Sequence, residues 1–266
     1  MSKVTAPELT AMKQQGKRIA MLTAYDYLFA EAVDRAGADS ILVGDSLGMV
    51  VQGNSSTLPV TIEEMAYHSR AVSRGASRAL VIADLPFLSY QQSREQALLS
   101  AGELMKSGCA EAVKLEGGEE MAATVEFLVQ RGIPVCGHLG LTPQSVHQFG
   151  GFKVQGREQA RASQIRNDAI ALQQAGACAV VLECIPEQLA TALSSELEIP
   201  TIGIGAGANC DGQVLVLQDM LGLNDGRTPR FVRNFLPGAN SIEEAISRYV
   251  AAVRDGSFPS ADESYH

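Results

Sequence analysis

The sequence predicts one α/β domain, a (β/α)8 TIM barrel, and three observations predict it. The chain has 266 residues, within the usual size of a single barrel of this kind. Short apolar, β-branched runs alternate from end to end with longer segments of helical period rich in Ala, Glu, Gln and Leu. The apolar runs are continuous rather than alternating, which suits strands covered on both faces in a parallel sheet. An open doubly wound sheet shares this pattern. The number of units and the absence of a dividing linker favour the closed barrel over residues 1–266.

The strand candidates, in order, are Arg18–Tyr25, Ser40–Gly44, Leu80–Asp84, Ala112–Leu115, Pro134–Gly137, Ala179–Leu182, Pro200–Ile204 and Gln213–Leu217. A short helical segment precedes the first. Asp26 directly precedes a helical pattern and reads as its N-cap. Thr61 with Glu64 forms a capping box that opens the helix Ile62–Arg74, and Gly75 closes it. Ser93 with Gln96 opens another helix, closed by Gly108. The Ala-rich segment Arg157–Ala175 ends at Gly176. Two stretches after strand ends, Met49–Leu58 and Gly140–Gly156, break the rhythm and belong over the catalytic face of a barrel. The short polar tail from Ser257 is expected to fray.

The formal net charge is -9, and no Lys/Arg stripe is present, a poor match to nucleic acid or an anionic membrane surface. The five cysteines are odd in number and lack a C-x-x-C pair, which argues against a disulfide framework or structural zinc. The N-terminus lacks the apolar run of a signal peptide. No stretch reaches the roughly 18 apolar residues of a membrane span. A cytoplasmic location is the expectation.

Polar residues at the C-terminal ends of barrel strands face the active site. They are Asp45, Asp84, Glu116, His138 and Glu183. Lys114 lies two residues before Glu116 and points to the same side of its strand. Three successive units each deliver a carboxylate, and on a barrel these converge. Their mutual repulsion calls for a cation. An oxygen-only cluster suits Mg²⁺, which takes one or two protein carboxylates and keeps several waters. Asp45 and Asp84 are the expected direct ligands, with Glu116 binding directly or through a water. The plainer alternative is that each acid caps the following helix. Glu is a poor cap, and three acids in adjacent units weigh against it.

These residues sit in segments that, in order, read TAYDY, VGDSLGMVVQG, ADLPF, VKLEGG, GHLGLTPQS, VLECIP and IPTIGIGAG. Together they closely resemble the ketopantoate hydroxymethyltransferase family over nearly the whole chain. The resemblance implies a barrel of the phosphoenolpyruvate/pyruvate type that uses Mg²⁺. It also implies transfer of one carbon from 5,10-methylenetetrahydrofolate to 3-methyl-2-oxobutanoate, giving 2-dehydropantoate in pantothenate synthesis. A homodecamer of two facing pentamers is implied as well. By the same resemblance, Asp45 and Asp84 serve both metal and substrate. Ser46 and Lys114 bind the keto acid, Glu116 belongs to the metal shell, His138 lies near the substrate and Glu183 accepts the proton.

The chemistry fits these residue types. C3 of a 2-keto acid loses its proton only if the carbonyl is polarised and the enolate stabilised, which Mg²⁺ and Lys114 would supply. Glu183, across the barrel from the three acids, would be the base. More modest roles exist: Lys114 could pair with Glu116 or a neighbouring acid, His138 could be a core histidine, Ser46 a loop hydroxyl and Glu183 a helix cap. Two other functions compete. One is a Mg²⁺-dependent lyase or aldolase acting on 2-keto acids. The other is a nucleotide-binding module, because Gly203–Ala208 matches G-x-G-x-x-G/A, although too late in the chain for a true fingerprint.

Overall fold

The computed structural model describes residues 2–224 and 228–266. Eight parallel strands close into a barrel in sequence order. They are β1 (Ile19–Thr23), β2 (Ser40–Val43), β3 (Leu80–Asp84), β4 (Ala112–Glu116), β5 (Val135–Gly140), β6 (Ala179–Glu183), β7 (Thr201–Ile204) and β8 (Gly212–Leu215). β8 pairs back onto β1, with Ile19 opposite Gly212.

Alternation along each strand divides the apolar residues between two cores. Ile19, Met21, Ile82, Ala112, Cys136, Val181 and Val214 fill the barrel interior. Their neighbours, such as Leu22, Val81, Val113, Val135 and Val180, pack outward against the helices. Strands buried on both faces explain why the apolar runs are continuous. Val4 and the N-terminal helix Ala6–Gln14 that follows it, through Ala6 and Leu9, join the interior cluster beside the first residues of several strands. Leu9 is fully buried, so Leu9→Ala would cost about 2–5 kcal/mol.

The outer helices begin where their caps dictate. The Asp26 side chain accepts from Phe29 N at 2.9 Å and opens Tyr27–Arg35. Thr61 and Glu64 exchange hydrogen bonds of 2.8 and 3.2 Å at the start of Ile62–Gly75. Ser93 Oγ accepts from Gln96 N at 3.1 Å before Arg94–Lys106. The Ala-rich helix runs Gln159–Gln174. Among the described residues, all five cysteines are free and no helix is long and apolar enough to cross a membrane.

The tail departs from expectation. Instead of fraying, it folds back on the body. Phe258 is buried, Tyr265 packs against the Phe231 ring at 6.5 Å, and the Tyr265 carbonyl accepts from Glu187 N at 2.8 Å. Arg233 pairs with Glu263 at 2.6 Å. Two aromatic anchors outweigh the polar residues between them. The segment Gly203–Ala208 also resolves: β7 ends at Ile204, and a turn with Gly205 and Gly207 at positive φ leads into β8. The turn leads to strand β8 and not to a helix, so the phosphate-binding context of a dinucleotide fingerprint is missing.

Candidate active site

The strand register sets the site. Asp84, Glu116 and Glu183 are the last residues of β3, β4 and β6, and Asp45 lies two residues beyond β2. β4 and β6 each run one residue further than their apolar runs, so these acids are strand residues with fixed direction. Asp84 is the register partner of Lys114, and Glu116 is the partner of His138. Asp45, Ser46, Asp84, Lys114, Glu116, His138 and Glu183 all line one cavity of ≈ 1180 Å³. The structure thus brings together every residue singled out from the sequence.

Lys114 Nζ lies 3.0 Å from Asp84 Oδ1 and 3.2 Å from His138 Nδ1. The pairing partner is therefore Asp84 rather than Glu116 on its own strand. Burial opposes the Lys114 charge, but Asp84, Glu116 and Asp45 outweigh it and hold the ammonium above the ordinary lysine value. His138 is lowered by burial and by the Lys114 charge, so its imidazole is neutral near pH 7. Lysine can only donate, so Nδ1 accepts and Nε2 carries the hydrogen. That Nε2 lies 3.1 Å from Glu183 Oε2, out of hydrogen-bond alignment, while Nδ1 lies 3.5 Å from Glu116 Oε1. Glu183 is thus not isolated across the barrel. One imidazole on the intervening strand separates it from the acid cluster.

The cluster is short of positive charge. Burial, then the charges of Asp84 and Glu116, hold the Asp45 carboxyl well above the usual carboxylate range. Glu116 is pushed up to about 8 by burial, against the opposing Lys114 charge. Asp84 Oδ1 is buried, and although Lys114 is close, it accepts no aligned hydrogen bond among the described residues. A buried, unsatisfied carboxylate oxygen beside two further acids fits a hard cation. Among the described residues, no three His, Cys, Asp or Glu side chains stand together in metal-holding geometry. One oxygen of each acid is held by a protein donor: Asp84 Oδ2 accepts from Asp45 N at 3.1 Å, and Asp45 Oδ2 and Glu116 Oε2 accept from Gln144 at 2.8 and 3.0 Å. The chemistry of these acids fits a Mg²⁺ that takes only one or two carboxylates and completes its shell with waters.

Several residues escaped the sequence reading. Tyr25 OH lies 2.9 Å from Ser46 Oγ. Tyr90 is fully buried behind Glu116. Asp219 lines the cavity, its carboxyl raised to about 6 by burial. Gln144 and Tyr25 lie within segments that carry the family resemblance, yet nothing in the spacing marks those side chains. Tyr90 and Asp219 have no sequence signal at all.

A closed eight-stranded parallel barrel with acids and a lysine at its strand C-termini defines the class, a (β/α)8 barrel with its polar cavity at the carboxyl ends of the strands. A phosphoenolpyruvate phosphomutase from Streptomyces platensis subsp. rosaceus superposes with a TM-score of 0.61 at 17% identity, covering 82% of each chain. A phosphonopyruvate hydrolase solved with oxalate and Mg²⁺ gives 0.61 at 14% identity, over 99% of this chain and 93% of that one. The chain belongs to the ketopantoate hydroxymethyltransferase family, whose model matches residues 3–261. The 3-methyl-2-oxobutanoate hydroxymethyltransferase of Azoarcus sp. is 58% identical over 263 residues, covering 98% of this chain and 97% of that protein. The protein of the same name from Magnetococcus marinus is 59% identical, covering 99% and 98%.

Proposed function

We propose that this chain adds a hydroxymethyl group to C3 of 3-methyl-2-oxobutanoate, giving 2-dehydropantoate, with 5,10-methylenetetrahydrofolate as the one-carbon donor. The observation that carries this reading is the single cavity faced by both the acid cluster and Glu183. Membership in the family supports the reaction named for its relatives.

Asp45 and Asp84 would hold Mg²⁺, with Glu116 close by. When bound, the ion would polarise the keto carbonyl and offset charge growing on its oxygen, a Lewis-acid effect of several kcal/mol. The bound oxalate and Mg²⁺ of the phosphonopyruvate hydrolase support this reading, since oxalate carries the same paired oxygens as the head of a 2-keto acid.

The chain's own residues do the rest. Lys114, held charged by three acids, faces the negative end of the keto acid. The Ser46 hydroxyl donates to the substrate carboxylate, and Tyr25 fixes its direction. Glu183 takes the C3 proton on a carboxylate oxygen, a role worth about 10²–10⁴ in rate. The His138 Nε2–H lies 3.1 Å from Glu183 Oε2, and a small turn of the ring would aim it at that carboxylate. Water hydrolyses the donor's two carbon–nitrogen bonds, which releases tetrahydrofolate and leaves the carbon as formaldehyde. The electron pair left on C3 forms the new bond to that carbon, and the proton held by Glu183 passes to its oxygen, which becomes the hydroxyl.

The same family reading carries a homodecamer in the cytoplasm, which light scattering on the purified protein would check. To test the reaction, the protein is incubated with 3-methyl-2-oxobutanoate and Mg²⁺, with and without the donor. Donor-dependent gain of one CH₂O unit, read by mass spectrometry, is the expected result. Carbon–carbon cleavage of a 2-keto acid without the donor would instead establish the lyase or aldolase alternative.

A further inference from the structure

Gln144 is buried and reaches three consecutive strand ends at once. Its Nε2 donates to Asp45 Oδ2 at 2.8 Å, beyond β2, and to Leu85 O at 2.9 Å, just after β3. Its backbone N–H donates to Glu116 Oε2 at 3.0 Å, at the end of β4. Its Oε1 accepts from Tyr90 OH at 2.8 Å and from Gln91 Nε2 at 3.0 Å. Both amide hydrogens and both lone pairs are therefore used. Turning the amide over would put its oxygen against the Asp45 carboxylate and leave Leu85 O and the Tyr90 hydroxyl unpaired inside the protein.

Tyr90 holds the amide in place from behind. Its hydroxyl accepts from Glu116 N at 3.1 Å and gives its own hydrogen to Gln144 Oε1. Gln144 does not line the large cavity. With Tyr90 and Gln91 it lines a separate cavity of ≈ 440 Å³, which shares Glu116 with the large one. It therefore touches the acids from the side away from substrate.

We infer that Gln144 is a positioning residue for the proposed cation site. Its amide fixes one oxygen of Asp45 and its backbone N–H fixes one oxygen of Glu116. Asp45 Oδ1 and Glu116 Oε1 are left as the oxygens not held from behind. A metal site needs its carboxylates aimed before the ion arrives, and the residues hydrogen-bonded to ligands do that aiming. Without that hold, three carboxyls crowded into one buried site would be free to rotate apart as they ionise. The inference rests on the metal reading proposed above.

The test uses the full-length, metal-stripped protein and Mn²⁺ alone, whose free concentration is read by electron paramagnetic resonance. Gln144→Met keeps the side-chain length and removes every amide hydrogen bond. Tyr90→Phe keeps the ring and removes only the hydroxyl that holds the amide. The Mn²⁺ Kd is expected to rise about 10- to 100-fold in Gln144→Met. A rise of about two- to tenfold is expected in Tyr90→Phe. A purely structural role would lower the melting temperature and leave the Kd within about twofold of the parent; that result in the folded variants overturns the inference. Should Gln144→Met fail to fold, Tyr90→Phe decides by the same criterion. A parent protein that binds no Mn²⁺ would overturn the metal reading, and this inference with it. A parent that binds alongside unchanged variants would overturn this inference alone.

Discussion

Gly140 and Glu183 are register partners across β5 and β6, and a Cβ on Gly140 would stand 2.2 Å from the Glu183 carbonyl oxygen. Gly140 also has φ +94°, a conformation that side chains resist. The close approach lets Leu141 N donate to that carbonyl at 2.9 Å, which fixes the backbone of the proposed base. Gly140→Ala is therefore expected to cost about 1–3 kcal/mol through backbone strain. It should lower kcat by displacing Glu183. Thermal melting and steady-state kinetics check both, and a variant with parental kcat would detach the glycine from the base.

Asp84→Ala is expected to lose more than about 100-fold in Mn²⁺ affinity while the fold survives. The substitution removes a proposed direct ligand, but it also removes like-charge repulsion. Asp45 and Glu116 remain to offset the Lys114 charge. Circular dichroism melting paired with a Mn²⁺ titration reads the two effects separately. Unchanged affinity would remove Asp84 from the metal.

The metal-free protein should lose stability as pH rises, through Glu116. Its carboxyl is pushed up to about 8 in the fold, from an ordinary value of 4.5. Between those values the native chain keeps a proton that the unfolded chain has released. Stability from this group is greatest below the unfolded value, falls through the window and levels off above it. Asp45 acts in the same direction. His138 acts in the opposite one: its lowered value costs stability as pH falls below about 6.5. Subtracting the melting curve of Glu116→Gln isolates the glutamate. The difference should decline from about pH 5 to 8, and a flat or rising difference would contradict the charge balance described for the site.

Much of this was legible in the amino-acid sequence, for a physical reason. Strands buried on both faces leave continuous apolar runs, and the first polar residue after each run marks the catalytic end. Asp45, Asp84, Glu116 and Glu183 were found that way, and all face one cavity. Gln144 was not, because its contacts run to residues far away in the chain, 28 from Glu116 and 99 from Asp45. A loop glutamine carries no periodicity to mark it. The tail misled for the converse reason. Its composition is polar, yet Phe258 and Tyr265 find apolar cover that only the folded barrel provides.

Tyr25→Phe should weaken keto-acid binding through Ser46. The hydroxyl pair is 2.9 Å apart, and its loss frees Ser46 Oγ to rotate. KM for 3-methyl-2-oxobutanoate is expected to rise about two- to tenfold, the worth of one hydrogen bond, with kcat changed less. Steady-state kinetics at saturating donor measures it. An unchanged KM would mean that Ser46 does not hold the substrate.

Proton removal by Glu183 from a cation-polarised keto acid is the central claim. It is tested most directly by C3 deuterium exchange of 3-methyl-2-oxobutanoate in D₂O, followed by proton magnetic resonance with and without Mg²⁺. The expected result is exchange that requires Mg²⁺ and falls by about 10²–10⁴ in Glu183→Gln. Exchange as fast without the metal, or as fast in the variant, would contradict it.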